Sequence, residues 1–353
     1  MSAPTPAIVL GGTGYVAGEL LRLIALHPHL EIAAILSDSR AGGAVAAAFP
    51  HLRCAYPQLL FSDLAQIESL LGRGPKFALF SAAPHGAAAG AIDRLLQVAA
   101  AAAVDVHCVD ISADFRYASA AAYEEVYGRA HGAPLRIAEF TCALPEHLRA
   151  SPTPHVAHPG CFATAALLAI VPLLASGLTD TRLFASGATG STGSGRTPVE
   201  GTHHPRRHGD LYAYNPLAHR HIPEIIACAQ AATGIAADIH FVPHSAPFAR
   251  GIHVTVQAAL KKPLSTAEAQ DALASYYSGC PFVCVGPAMP RVKDVVASNY
   301  AHLSAATDGA TIAVMAAIDN LTKGAAGGAL QWMNRLLGFD ERAGLTAPAA
   351  GWT

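Results

Sequence analysis

The feature that most constrains the fold lies at the amino end of the chain. Residues 7–10 are a short apolar run that stops at GGTG, Gly11 to Gly14, and residues 15–26 then carry apolar side chains at helical spacing. Strand, glycine turn and helix in that order form the opening unit of a parallel sheet. Further strands are predicted at residues 31–36, 77–81 and 106–111, with a helix at 87–103 between the last two. Such alternation implies right-handed crossovers, so the expected fold class is α/β with a Rossmann-type, doubly wound parallel sheet.

At 353 residues the chain exceeds what one core usually supports, and two domains are expected. The texture changes near Pro152. Prolines, histidines and glycines crowd up to Pro223, and β-branched segments follow at 251–258 and 311–317. These predict a second α/β domain with a mixed, largely antiparallel sheet. A last helix near 325–337 is expected to return to the first domain. The expected division is therefore 1–159 with 320–353 for a nucleotide-binding domain, and 160–319 for a catalytic and dimerisation domain.

A hydrophobic fraction of 52% with 14% charged residues argues against disorder. Lys+Arg 23 against Asp+Glu 25 leaves a net charge of -2, which gives no global basic field for nucleic acid or an anionic membrane. No basic stretch with a long apolar run opens the chain, so no signal peptide is read and a cytoplasmic location is expected. The most apolar window, 87–103, is broken by Asp93, Arg94 and Gln97, an amphipathic pattern and not a membrane span. Seven cysteines form no CxxC pair and read as reduced thiols.

The glycine turn places Gly11, Thr13, Gly14, Tyr15 and Val16 where backbone N–H groups and a helix dipole meet a pyrophosphate. After the second strand comes SDSRAG. Arg40 with Ser37 and Ser39 offers a cation and two hydroxyls to a 2′-phosphate, favouring NADP(H), while Asp38 pulls toward NAD or caps a turn. Pro84, in SAAPHG after the third strand, falls where loops contact the nicotinamide half. SGATGSTGSGR reads as a long loop over 186–196, with Gly193, Ser194 and Gly195 as further cofactor-binding candidates.

HPGCFAT precedes an apolar helical pattern at 165–174, which sets Cys161 at a helix N-terminus. There the dipole and free N–H groups favour a thiolate and hold an oxyanion. Thiolate attack on an acyl phosphate, loss of phosphate and hydride reduction of the resulting thioester is the chemistry this arrangement suits. A base is required, and HRHIPEI offers His221 first and His219 second, on a loop ahead of a helix opened by Pro223. Arg116, Arg220, Glu224, His244 and Arg250 are candidate substrate contacts. The histidines of HHPRRH lack the HExxH spacing of zinc enzymes, and no metal is expected.

Taken together, GGTGYVAGELLRL, DISADFR, ALPEHLR, HPGCFATAALL, STGSGRTP, HRHIPEI, VPHSAPFARGI and AIDNLTKGAAGGALQWMN resemble the N-acetyl-γ-glutamyl-phosphate reductase family of the aspartate-semialdehyde dehydrogenase-like group. The resemblance runs in family order through almost the whole chain. It implies NADPH-dependent reduction of N-acetyl-γ-glutamyl phosphate in arginine biosynthesis, with Cys161 matching the family nucleophile and the HRHIPEI histidines its base. Departures are Ala17 where glycine is commoner, Phe162 where tyrosine is usual, and a loop from Ser186 lengthened by a few residues. The alternatives are a homologous reductase of an aminoadipyl phosphate in lysine synthesis, and a nucleotide-binding sensor without catalysis. A homodimer or homotetramer is expected.

Overall fold

The computed structural model describes residues 3–72 and 74–351. The chain divides into two compact units. The first comprises residues up to Pro145, Ala150–His158 and Ala326–Thr346, and the second Glu146–Arg149, Pro159–Ala325 and the residues from Ala347 onward.

The first unit is built on six parallel strands: β1 Thr5–Leu10, β2 Leu30–Ile35, β3 Lys76–Ser81, β4 Asp105–Asp110, β5 Phe140–Cys142 and β6 His155–Ala157. Their order is β2-β1-β3-β4-β6-β5. Ile8, Val9, Leu10, Ala78 and Phe80 are fully buried, as strands covered on both faces by helices require. The chain turns from one side of β1 to the other between β2 and β3. This switch point puts the turn after β1 at the carboxyl ends of the strands, where open α/β sheets bind ligands. The Leu64–Leu71 helix, absent from the sequence reading, starts at a capping box in which Asp63 and Gln66 satisfy one another's main-chain N–H groups. The last helix, Gly327–Leu336, belongs to this unit. Trp332 Nε1 donates to Ala143 O at 2.8 Å, and His27 Nε2 lies 2.8 Å from Asn334 Oδ1.

In the second unit the helix Cys161–Ala175 is apolar all round and buried from Phe162 to Leu174, the pattern of a core helix. It packs, with the helices Ile222–Thr233 and Thr266–Tyr276, on a seven-stranded sheet. The strands are β7 Arg182–Thr189, β8 Tyr212–Ala213, β9 Asp238–Ser245, β10 Ile252–Ala259, β11 Val283–Val285, β12 Ala301–Thr307 and β13 Thr311–Ile318, ordered β11-β12-β13-β10-β7-β9-β8. β7 runs parallel to β9 and β11 to β12, and the other neighbours are antiparallel. The mixed, largely antiparallel sheet expected from the sequence is observed. Residues 186–189, read as the start of a loop, are instead the end of β7, and the loop begins at Gly190.

Candidate active site

In the first unit, Gly11 adopts φ +74°, and a Cβ added there would lie 2.5 Å from the Ala83 nitrogen and Cα. Only glycine lets the turn after β1 lie this close to the backbone after β3. Gly14 is the N-cap of the Tyr15–Ile24 helix and supplies no side-chain cap, so the first-turn N–H groups of Tyr15 and Val16 face outward from the helix end. Thr13 lies half-buried between the two glycines. These residues fit a dinucleotide phosphate: a cradle that a Cβ would fill, at an uncapped helix N-terminus. Ser37 is half-buried, and Ser39 and Arg40 are exposed on the turn that follows β2. No ion pair engages Arg40 among the described residues. Pro84 is exposed after β3.

The loop carrying Pro84 is fixed by a residue the sequence reading did not single out. Asp114 Oδ1 accepts the Gly86 N–H at 2.7 Å and Oδ2 the Ala89 N–H at 3.0 Å, capping the Ala88–Ala101 helix from a distance. The alternating polar residues of DISADFR carried the signal. Asp110, Ser112, Asp114 and Arg116 are all buried, and burial, the largest cause, pushes the Asp110 carboxyl up to about 6. Arg116 donates Nε to His158 O at 2.9 Å and Nη2 to Ile111 O at 2.7 Å. It is a buried post that supports the chain ahead of Cys161.

In the second unit Cys161 is half-buried and is the first residue of its helix, with Gly160 as an N-cap that has no side chain to occupy the helix end. The Gly160 N–H donates to Glu224 Oε1 at 2.7 Å, and Glu224 is fully buried. Glu224 therefore ties the first turn of the Ile222–Thr233 helix to the residue before the cysteine. His221 is the N-cap of that same helix. His219 and His221 lie on the loop that leads into this helix and are buried, each 7% exposed. Their rings meet edge-on at 4.7 Å, and His219 also packs edge-on against Phe162 at 5.8 Å and Tyr214 at 5.7 Å.

His219 Nδ1 accepts the His221 N–H at 3.2 Å. Burial, reinforced by the Arg220 cation, pushes the His219 imidazole down to about 4, so the neutral ring carries its proton on Nε2. His219 thus fixes the backbone of His221. Tyr214, half-buried beside His219, has its phenol held above the usual range by burial first and by negative charge on Cys161 second. The sequence reading missed Tyr214, which no motif marks.

Arg250 makes a two-pronged pair with the fully buried Asp319, both contacts at 2.9 Å, and reaches Thr322 Oγ1 at 3.1 Å. It is a strut within the unit. Arg220 is exposed and His244 half-buried on β9. Gly193 and Ser194 lie on an exposed short turn, followed by Gly195 at φ +85°. Arg207, also missed, is buried and reaches Ser245 Oγ and Ala246 O, closing the strand ends beneath that turn. Among the described residues no group of three or more His, Cys, Asp or Glu is placed to hold a metal ion.

Two buried histidines make stability acid-sensitive. His155 and His219 are both pushed down to about 4 from 6.5, chiefly by burial. Each contributes stability that is whole above about 6.5 and lost as pH falls toward 4, on the order of 3 kcal/mol apiece. Asp110, raised to about 6, works the other way, because its ionised form is the costly one. Thermal melts should show a midpoint that drops between pH 6.5 and 4, and a flat profile there would contradict these assignments.

Comparison with known proteins bears directly on this arrangement. Residues 6–149 match the family model of the semialdehyde dehydrogenase NAD binding domain, and residues 161–320 that of the semialdehyde dehydrogenase dimerisation domain. The N-acetyl-gamma-glutamyl-phosphate reductase of Methanopyrus kandleri is 40% identical over 349 residues, covering 96% of this chain and 97% of that one. The enzyme of that name from Cellvibrio japonicus is 38% identical over 97% and 98% of the two chains. This chain belongs to the N-acetyl-gamma-glutamyl-phosphate reductase family.

Membership of this family of oxidoreductases bears out the resemblance carried by the HPGC, HRHIPEI and DNLTKGAAG segments. Among solved structures, aspartate semialdehyde dehydrogenase II of Vibrio cholerae in complex with ASA superposes with a TM-score of 0.67 at 15% identity, over 95% of this chain and 98% of that one. Aspartate semialdehyde dehydrogenase of Candida albicans with NADP gives 0.64 at 14% identity, over 95% and 98%. At such identities the likeness shows the fold, the α/β architecture expected for the family.

Proposed function

We propose that the chain reduces N-acetyl-γ-glutamyl phosphate to N-acetylglutamate semialdehyde and phosphate with NADPH, in arginine biosynthesis. The observation that carries this reading is Cys161 at the open N-terminus of a buried helix, tied through Gly160 and Glu224 to the helix that His221 caps. The first unit holds the cofactor through Gly11, Thr13, Gly14, Tyr15, Val16 and Pro84, and Gly193, Ser194 and Gly195 are further cofactor-binding residues in this reading. The second unit supplies catalysis and dimerisation.

His221 takes the thiol proton of Cys161. The thiolate attacks the acyl carbon, the bond to the phosphate oxygen breaks, and the imidazolium returns its proton to the departing phosphate. The positive end of the Cys161–Ala175 helix stabilises the oxyanion formed at each tetrahedral stage. When bound, the nicotinamide supplies the hydride that reduces the thioester carbon. Collapse of the resulting tetrahedral adduct on Cys161 expels the thiolate and frees the aldehyde. Arg116, Arg220, Glu224, His244 and Arg250 contact the substrate, and Glu224, Arg116 and Arg250 also hold the frame. His219 acts through His221.

Running the reaction backwards tests the function. N-acetylglutamate semialdehyde, phosphate and NADP should together yield NADPH, and the absence of NADPH would overturn the reading. The choice of NADP rests on Arg40, exposed beside Ser37 and Ser39 and without an ionic partner among the described residues. Arg40→Ala should raise the KM for NADPH roughly tenfold or more and leave that for NADH unchanged. Equal losses with both coenzymes would remove the 2′-phosphate from its role.

The family model matched by residues 161–320 is described as a dimerisation domain, which supports a homodimer or homotetramer, and light scattering of the purified protein tests this. Among the described residues no helix is long and apolar enough to cross a membrane, and we place the enzyme with its water-soluble substrate in the cytoplasm, a location that cell fractionation checks.

A further inference from the structure

Gly324 stands directly against the cysteine: a Cβ added to it would lie 2.8 Å from Cys161 Cβ and 3.1 Å from Cys161 Cα. It sits in a π-helical turn, Thr322–Ala326, where its N–H donates to Asp319 O at 2.9 Å. One end of this turn is held by Asp319, which takes the Arg250 fork and also accepts the N–H groups of Ala297, Leu321 and Thr322. The other tether is Lys323. Its side chain is fully buried, as is that of Glu146, and the ammonium lies 2.5 Å from Glu146 Oε1.

Residues Glu146–Arg149 belong to the second unit although the segments before and after them belong to the first. Beyond Glu146 they make a second attachment. His147 Nε2 lies 3.1 Å from Tyr277 Oη, and Tyr277 donates its hydroxyl proton to Leu168 O at 2.6 Å. Leu168 is on the helix that begins at Cys161. A closed circuit results, from Cys161 along its helix to Leu168, through Tyr277, His147, Glu146 and Lys323, and back to Cys161 across Gly324.

A buried ion pair is a weak source of stability, because desolvation of both charges offsets their attraction; what it does supply is one defined geometry. We propose that the Glu146–Lys323 pair is a positioning device for the Cys161 thiol, acting through Gly324, an inference that rests on the reading of Cys161 as nucleophile. Neither side chain touches the reacting atoms. The pair holds the turn that walls the thiol on one side, as Glu224 holds the residue before it on the other.

The test uses the full-length enzyme. Glu146→Asp keeps both buried charges and withdraws the carboxylate by one methylene. It should lower kcat roughly tenfold and slow alkylation of Cys161 by iodoacetamide by a similar factor, with the KM for the acyl phosphate within about twofold of wild type. The neutral double variant Glu146→Gln with Lys323→Met removes the charges together, so no unpaired ion is buried, and it should fold yet keep the low kcat. Wild-type kcat with a wild-type alkylation rate in either variant would overturn the proposal, as would a loss confined to the thermal midpoint. Alkylation reports thiol position without turnover. Undiminished turnover by Cys161→Ser would instead overturn the nucleophile reading and leave the alkylation result standing.

Discussion

Replacing Cys161 by serine should leave the fold intact and lower turnover of N-acetyl-γ-glutamyl phosphate by about a thousandfold or more. The side chain is half-buried at the first position of its helix, and the packing of that helix is carried by Phe162 to Leu174. The thermal midpoint should therefore move little. What changes is the chemistry: an alcohol at this position is a far weaker nucleophile than a thiolate. Steady-state kinetics together with a thermal melt decide the matter. Retention of most of the turnover by the serine variant would exclude a thioester.

The second large effect is expected at the nucleotide turn. Gly11→Ala forces a Cβ to within 2.5 Å of main-chain atoms of Ala83 at φ +74°. Backbone atoms after a fully buried strand cannot withdraw as a flexible side chain would, so the turn itself must move. The expected cost is about 2–4 kcal/mol of stability together with loss of dinucleotide binding. Gly14→Ala is the control. Its φ is -78° and the nearest atom to an added Cβ is Gly11 O at 3.9 Å, so the fold should tolerate it. Urea denaturation of the two variants measures the contrast in stability, NADPH fluorescence titration measures the loss of binding by Gly11→Ala, and equal stability of the two would remove the special role of Gly11.

Four strands of the parallel sheet were legible as short, largely apolar runs between turn and helix signals, while β5 and β6, of three residues each, are too short to carry a pattern. β7 was not legible either. Its last residues, Ser186–Thr189, open the glycine- and serine-rich run SGATGSTGSGR, which reads as a loop. The glycine has a tertiary cause: a Cβ on Gly187 would meet the Phe162 ring at 2.6 Å. The cysteine and its helix were visible locally, since Gly160 and the apolar run lie beside it. The roles of Arg116, Glu224 and Arg250 were not, because their partners lie 42, 64 and 69 residues away in sequence. The histidine pair shows the same limit, for only the fold shows that burial pushes the His219 imidazole down to about 4.

The central claim, a thioester on Cys161, is open to direct capture. The enzyme is mixed with N-acetyl-γ-glutamyl phosphate in the absence of nicotinamide cofactor, quenched in acid, and analysed by intact mass and peptide mapping alongside released phosphate. The predicted result is one N-acetylglutamyl group on Cys161 for each phosphate released, discharged as aldehyde when NADPH is added before the quench. Phosphate release with an unmodified Cys161, or an acyl group on any other residue, would contradict the mechanism.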